Sequence, residues 1–355
     1  MSFIATFLAG LIIAVGVTPM LRKKLLARGV IDQPDARKVH TRAIPRLGGV
    51  AIYLGFVVAV LTAYALKGAA FDEKITQFVG LLVAGTFIAV VGVFDDVYNV
   101  RAIYKLFTQI AAAMILISFD ISMGSLSNPF GGSIELGVWN YPVTIFWVIG
   151  VINAINLVDG LDGLASGVSL IVTMTIFLIA LYLEKTYVAL IALGLAGSIL
   201  GFLRHNFYPA KIFMGDTGSM FIGLMISALG LISSQKSAVS FAILVPFIAL
   251  GYPVIDTALA IFRRARAGKS IFTADREHIH HILLSYGYSH PKTVIFLYVI
   301  CLFFATMAFL FAVYNKSGTF TVGVLFFVLI FIFLFIRMIT DFKKKTEEDQ
   351  ETDDL

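Results

Sequence analysis

One cysteine, Cys301, stands among 355 residues, so no disulfide can form within the chain and the redox compartment stays open. Charge is scarce too: 14% of residues are Asp, Glu, Lys or Arg, against about 25% in soluble domains. Hydrophobic residues make up 59%, more than a water-soluble fold of this size can cover. These shortages exclude an ordinary soluble enzyme, a disordered chain and a collagen-like chain. Alternating apolar and polar positions in ten-residue segments are also missing, which excludes a transmembrane β-barrel. Long uncharged apolar runs are present instead. Lys292 and Lys316 enclose 23 uncharged residues, and Lys316 and Arg337 enclose 20. About 20 helical residues at 1.5 Å rise cross a 30 Å hydrocarbon layer. The fold class is therefore read as all-α, a polytopic integral membrane protein.

Eleven spans fit the hydropathy, at 2–21, 47–66, 76–94, 103–119, 142–158, 164–183, 187–203, 217–234, 238–261, 293–314 and 318–336, with ten as the alternative. The first run has no basic residue before it and Arg22, Lys23 and Lys24 after it. A secretory signal peptide has the reverse order, so this run is read as a retained helix with its N-terminus outside. Of the 27 Lys and Arg, 22 fall in the segments 22–46, 95–105, 204–216, 263–292 and 337–345. Only Lys67, Lys74, Lys185, Lys236 and Lys316 fall on the other side. Positive charge stays cytoplasmic, so those five segments and the C-terminus are expected inside. All six histidines share that side, as do Asp95, Asp96, Asp159, Asp162 and Asp216. The expected organisation is one transmembrane catalytic domain, 1–340. Its active-site loops are 22–46, 95–105, 159–165, 204–216 and 263–292, and a polar tail follows at 341–355.

Five polar clusters interrupt the apolar pattern. The first is DQPDARKVHTRAIPRLGG, 32–49, with Arg37, Lys38, His40, Arg42 and Arg46. It reads either as a basic loop lying on anionic lipid or, given Pro34, Pro45 and Gly48-Gly49, as a shaped loop. The second is GVFDDVYNVRAIYKLF, 92–107. Adjacent Asp95 and Asp96 repel one another and suit divalent-cation binding, metal–phosphate chemistry or proton transfer; helix capping is the plainer reading. Lys105 either snorkels or faces a phosphate.

The third cluster is NAINLVDGLDGLASG, 153–167, where Asn153, Asn156, Asp159 and Asp162 recur every three residues at a span end. Such groups line a cavity or form a hydrogen-bonded seam between helices. The fourth, RHNFYPAKIFMGDTGSMFIG at 204–223, places Gly215 to Ser219 at the start of a span. Asp, Thr and Ser are natural caps, yet a glycine-flanked helix N-terminus also binds phosphate. Asp216 would repel that phosphate unless a cation lay between them. The fifth is DREHIHHILLSYG, 275–287, with Asp256 upstream. A helix over 277–285 puts His278 and His281 on one face. No thiol ligand accompanies them, so donation to a diphosphate is preferred over zinc. Asp256 is expected to pair with Arg263 or Arg264.

Carboxylates for a cation, basic groups for phosphate and glycines for close approach thus gather on one face. That is equipment for phosphoryl chemistry between a soluble phosphate compound and a membrane lipid. A transporter would hold ionisable groups near the midplane of the bilayer; a transporter of nucleotide sugars or lipids and a membrane lipid phosphatase are the competing readings.

In order along the chain, DQPDARKVHTRAIPRLGG, FDD, NAINLVDGLDGLA, FMGDTGS and HIHH resemble the motifs of the polyprenyl-phosphate N-acetylhexosamine-1-phosphate transferases. The resemblance covers roughly residues 15–290, and HIHH at 278–281 looks like the WecA/TagO branch rather than the related MraY branch. It implies transfer of N-acetylhexosamine 1-phosphate, GlcNAc 1-phosphate foremost, from a UDP-N-acetylhexosamine to undecaprenyl phosphate, with Mg²⁺ as cofactor and Mn²⁺ as the alternative. It further implies the bacterial cytoplasmic membrane, a site facing the cytoplasm and a homodimer; no nucleic acid is expected as a partner. By matching positions, Asp216 and Asn156 would hold the metal, and Asp95, Asp96 and Asp216 would be catalytic. Lys105 and His281 would contact the diphosphate, Phe213 would stack on uracil, and Asp159 and Asp162 would hold the nucleotide. Asn153, Arg276, His278, His280, Arg37, Lys38 and His40 would complete the substrate contacts.

Overall fold

A computed structural model of the chain describes residues 1–32, 43–127, 133–234, 250–266, 279–314, 323, 326–334 and 337. Helices dominate: α1 (Ser2–Arg28), α2 (Gly49–Lys67), α3 (Ile75–Tyr98), α4 (Ala102–Ser118), α5 (Asn140–Val158), α6 (Leu164–Tyr182), α7 (Thr186–Asn206), α8 (Gly215–Ser234), α9 (Gly251–Arg266), α10 (Ile279–Ser285) and α11 (His290–Tyr314). Two antiparallel ribbons accompany them. β1 (Ile31–Asp32) pairs with β2 (Ile44–Pro45), and β3 (Ser125–Ser127) with β4 (Ser133–Glu135). The protein is thus a mostly helical, polytopic membrane protein. Among the described residues eight helices are long and apolar enough to cross a bilayer, and α4 is a shorter apolar helix. The expected spans 238–261 and 318–336 lie partly outside the described residues.

Lipid tails are as apolar as leucine, so helices here associate through close packing of small residues. The α1–α7 contact shows this. α1 buries Thr6, Gly10, Ala14 and Thr18, one residue per turn. A Cβ on Gly10 would lie 2.7 Å from the Gly194 carbonyl, and one on Gly197 would lie 2.3 Å from the Phe7 carbonyl. α2 packs against both of these helices.

α8 is the most enclosed span and contacts α2, α3 and α5. Chain direction then sets the chemistry. α3, α5 and α7 end, and α4, α6 and α8 begin, at the same end of the bundle. That end carries the turns at 99–101, 159–163 and 207–214. The β3–β4 ribbon belongs to the connection at the opposite end, between α4 and α5.

Candidate active site

The first turn of α8 organises the site. Gly215 takes φ +71°, and a Cβ there would lie 2.4 Å from Asp96 Oδ2, so only glycine lets that carboxylate in. Asp96 Oδ1 accepts the Asp216 N–H at 2.8 Å, while Oδ2 accepts the Thr217 N–H at 3.1 Å and its hydroxyl at 2.6 Å. The end of α3 therefore caps α8 across space, negative charge against free N–H groups.

Asp95 lies about 100° further round α3 and has other partners. Its Oδ1 accepts the Val100 N–H at 2.9 Å, which braces the turn into α4. Its Oδ2 is 2.6 Å from Lys105 Nζ. The same ammonium donates to Asp216 Oδ2. Asp216 Oδ1 accepts from Asn156 Nδ2 at 2.6 Å, and that amide also lies 2.8 Å from Ser219 Oγ. Four helices thus contribute one group each: Asp95 from α3, Lys105 from α4, Asn156 from α5 and Asp216 from α8.

These groups line a cavity of about 1160 Å³. Its described walls carry Asp32, Asp95, Asp96, Asp159, Asp162 and Asp216 against Arg22, Arg46, Lys105 and Lys211, with His281 and His290 beside them. Asp159 lies in the α5–α6 turn, outside the spans. Burial first, then the Asp216, Asp96 and Asp162 carboxylates, push its pKa up to about 8, against a smaller pull from Arg46. That favours its protonated form near neutral pH.

The α5–α6 turn is held from three directions. Asp162 Oδ2 accepts the Ala210 N–H at 2.8 Å, and the Asp162 N–H donates to His290 Nε2 at 3.2 Å. The Gly163 N–H donates to Asn206 Oδ1, and the Tyr298 hydroxyl donates to the Gly163 carbonyl at 2.5 Å. His290 also stacks on Tyr208 with ring centres 4.7 Å apart. Phe213 lines the cavity, its backbone pinned by the Pro45 carbonyl at 2.8 Å and the Gly48 N–H at 2.9 Å.

The structure therefore gathers Asp95, Asp96, Lys105, Asn156, Asp159, Asp162, Phe213, Asp216 and His281 around one cavity. His280 is buried next to Gly160, its ring centre 4.4 Å from that of His281. Asn153 turns instead to Gln109, donating to Oε1 at 2.8 Å in an α4–α5 seam. Asp256 accepts the Ile279 N–H at 2.9 Å and so tethers α10. Arg37, Lys38, His40, Arg276 and His278 lie outside the described residues.

Three groups at the site have no substrate or catalytic role expected of them from the sequence. Ser219 lies one turn after Asp216, and that spacing was the available signal. Arg46 closes the base of the 32–49 loop on Asp32 at 2.5 Å; the charges, prolines and glycines mark that loop as shaped without marking this pair. His290 belongs to no motif, and only the fold brings it to Asp162.

The donor set is hard oxygen: the Asp216 carboxylate, the Asn156 carbonyl once its amide turns over, and Asp95 nearby. Among the described residues no three His, Cys, Asp or Glu side chains are placed to hold a metal ion. Mg²⁺ takes one or two carboxylates and otherwise keeps water and phosphate oxygens, so the Asp216–Asn156 pair is the part of this oxygen set that would hold it.

The family described as glycosyl transferase family 4 matches residues 78–234, which contain Asp95, Lys105, Asn156 and Asp216. The chain is 38% identical over 339 residues to a Bacillus subtilis (strain 168) protein named "Probable undecaprenyl-phosphate N-acetylglucosaminyl 1-phosphate transferase", covering 95% of this chain and 91% of that one. It is 35% identical over 318 residues to a decaprenyl-phosphate N-acetylglucosaminephosphotransferase of Mycolicibacterium smegmatis, covering 82% and 78%. It is also 32% identical over 324 residues to a phospho-N-acetylmuramoyl-pentapeptide-transferase of Desulforudis audaxviator, covering 85% and 94%.

Proposed function

This chain belongs to glycosyl transferase family 4, and from that premise we propose that it transfers GlcNAc 1-phosphate from UDP-GlcNAc to undecaprenyl phosphate. The products are undecaprenyl-diphospho-GlcNAc and UMP, the former being the starting lipid of an envelope glycan such as teichoic acid or O-antigen. One observation carries the reading: Asp95, Lys105, Asn156 and Asp216, from four helices, meet at the α8 N-terminus in a single cavity. The test is incubation of purified protein in detergent with sugar-labelled UDP-GlcNAc, Mg²⁺ and undecaprenyl phosphate. A transferase forms labelled lipid with no membrane gradient. A transporter forms none, and a lipid phosphatase releases inorganic phosphate.

The acceptor phosphomonoester is an anion near neutral pH and already a competent nucleophile, so it needs positioning more than activation. Asp95 and Lys105 are the groups to hold it in line, with the Asp95 carboxylate taking any remaining acceptor proton. Asp96, its oxygens given to the first turn of α8, positions Asp216 rather than meeting substrate. Asp216 and Asn156 would hold Mg²⁺, which supplies charge neutralisation at the diphosphate and the leaving UMP. Phe213 stacks on the uracil ring. Protonated Asp159 offers a hydrogen bond to the donor without adding a negative charge, and His281 and Lys105 donate to the diphosphate. Transfer is direct, with no covalent sugar-phosphate enzyme.

The distribution of Lys and Arg supports eleven spans, an outer N-terminus, an inner C-terminus and a cavity facing the cytoplasm of a bacterium. Among the described residues eight helices are long and apolar enough to be spans of this arrangement, and α4 is shorter.

A further inference from the structure

Lys105 Nζ lies between two carboxylates from different helices, 2.6 Å from Asp95 Oδ2 and hydrogen-bonded to Asp216 Oδ2. The other Asp216 oxygen is engaged by the Asn156 amide. Both oxygens of the group assigned to the divalent cation are thus taken by N–H donors of the protein. The two donors are not equivalent. An amide can turn over and present its carbonyl oxygen in place of its NH₂, whereas an ammonium has donors only. A cation that takes Asp216 can keep Asn156 as a partner, but it must move Lys105 away from Oδ2.

The structure leaves room for that movement. The Lys105 side chain is 29% exposed, it borders the cavity, and it sits in the first turn of α4 on a flexible four-carbon stem. Asp95 keeps a second hydrogen bond, the Val100 N–H, and the ammonium has to leave only Asp216 Oδ2, not the neighbourhood of Asp95. Once displaced, its nearest open space is the cavity in which the phosphates are to bind.

We propose that Lys105 is an exchangeable counter-ion. It neutralises Asp216 until a divalent cation takes its place, and the released ammonium then serves the incoming phosphate. The proposal rests on the reading of Asp216 and Asn156 as the metal-holding pair. It makes metal and Lys105 competitors for one carboxylate. Removing the lysine should therefore tighten metal binding even as it abolishes turnover. A lysine that merely positioned Asp216 as a ligand would give the opposite sign.

The experiment is a titration of the purified full-length protein with Mn²⁺ alone, without substrates, followed by the electron paramagnetic resonance signal of free Mn²⁺. Lys105→Met should bind about ten-fold or more tightly than the unchanged protein, since a unit charge in contact with a carboxylate is worth at least that in a partly screened site. Lys105→Arg should bind like the unchanged protein, and Asp216→Asn should lose the site. If Lys105→Met does not fold, Lys105→Gln, which keeps a hydrogen bond without the charge, is read in the same way. Unchanged or weaker Mn²⁺ binding on removal of the charge overturns the exchange while leaving the metal reading intact. Absence of Mn²⁺ binding from the unchanged and the lysine-substituted proteins alike removes the metal reading and the exchange with it.

Discussion

Asp95 and Asp96 are neighbours in sequence, yet one accepts from Lys105 and the other from the backbone of α8. Their amide variants should separate accordingly. Asp96→Asn places an NH₂ against groups that already donate, so it should lower stability by about 1–3 kcal/mol, seen as a reduced thermal midpoint in detergent. Asp95→Asn should keep its midpoint closer to that of the unchanged protein and lose kcat. Asp216→Asn should cut turnover on the order of 10²–10⁴ while folding normally; near-normal turnover with Mg²⁺ present would take Asp216 out of the site. Phe213→Ala should raise the KM for UDP-GlcNAc by roughly 1–3 kcal/mol of lost stacking and leave the KM for lipid phosphate nearly unchanged. A shift in the lipid KM alone would place Phe213 against the polyprenyl chain. The sequence made Asp216 conspicuous, because a carboxylate in a glycine-flanked turn needs a cation before it can meet phosphate. It could not separate Asp95 from Asp96, since partners 120 residues away decide which faces what. Nor could it tell Asn153 from Asn156. Both sit on the inner side of α5, and only the position of Gln109 on α4 turns one of them away.

At the scale of elements, the α8 N-terminus and the α5–α6 turn carry the site. Gly215→Ala would put a methyl group into the Asp96 carboxylate at a positive φ. It should reduce both thermal midpoint and activity, where an alanine at Gly124, which has open space around it, should change neither. The α5–α6 turn carries a pH signature through Asp159. Its pKa rises from 3.8 unfolded to about 8 folded, so the folded state binds a proton that the unfolded chain has lost. This contribution to stability is full below pH 3.8, shrinks as pH rises, and is gone above about 8. In chelator-containing buffer the thermal midpoint of the unchanged protein should therefore fall more between pH 6 and 9 than that of Asp159→Asn. Equal slopes would mean that Asp159 is already ionised at neutral pH. The helices themselves were readable as uncharged runs, because span length is set by bilayer thickness rather than by contacts. The grip on the α5–α6 turn was not readable: Asn206 lies in a polar cluster but on α7, His290 and Tyr298 lie on α11 in no motif, and only the fold brings them to the turn.

On the scale of the whole molecule, charge asymmetry and helix direction agree that the basic end of the bundle carries the cavity. The chain's one cysteine is buried, so introduced cysteines can report sidedness against a quiet background. Glu73→Cys, in the α2–α3 turn opposite the site, should react with an impermeant maleimide in intact cells. Arg204→Cys, near the cavity end of α7, should react only after permeabilisation; the reverse pattern would invert the topology. The central claim is that the whole sugar phosphate moves, and that UMP leaves. The most direct measurement uses UDP-GlcNAc carrying ³H in the sugar and ³²P in the β-phosphate, with undecaprenyl phosphate and Mg²⁺. The account predicts both labels in the extracted lipid at a one-to-one ratio, with unlabelled UMP formed in equal amount. Tritium in the lipid with ³²P left in UDP, or ³²P released as inorganic phosphate, would contradict it.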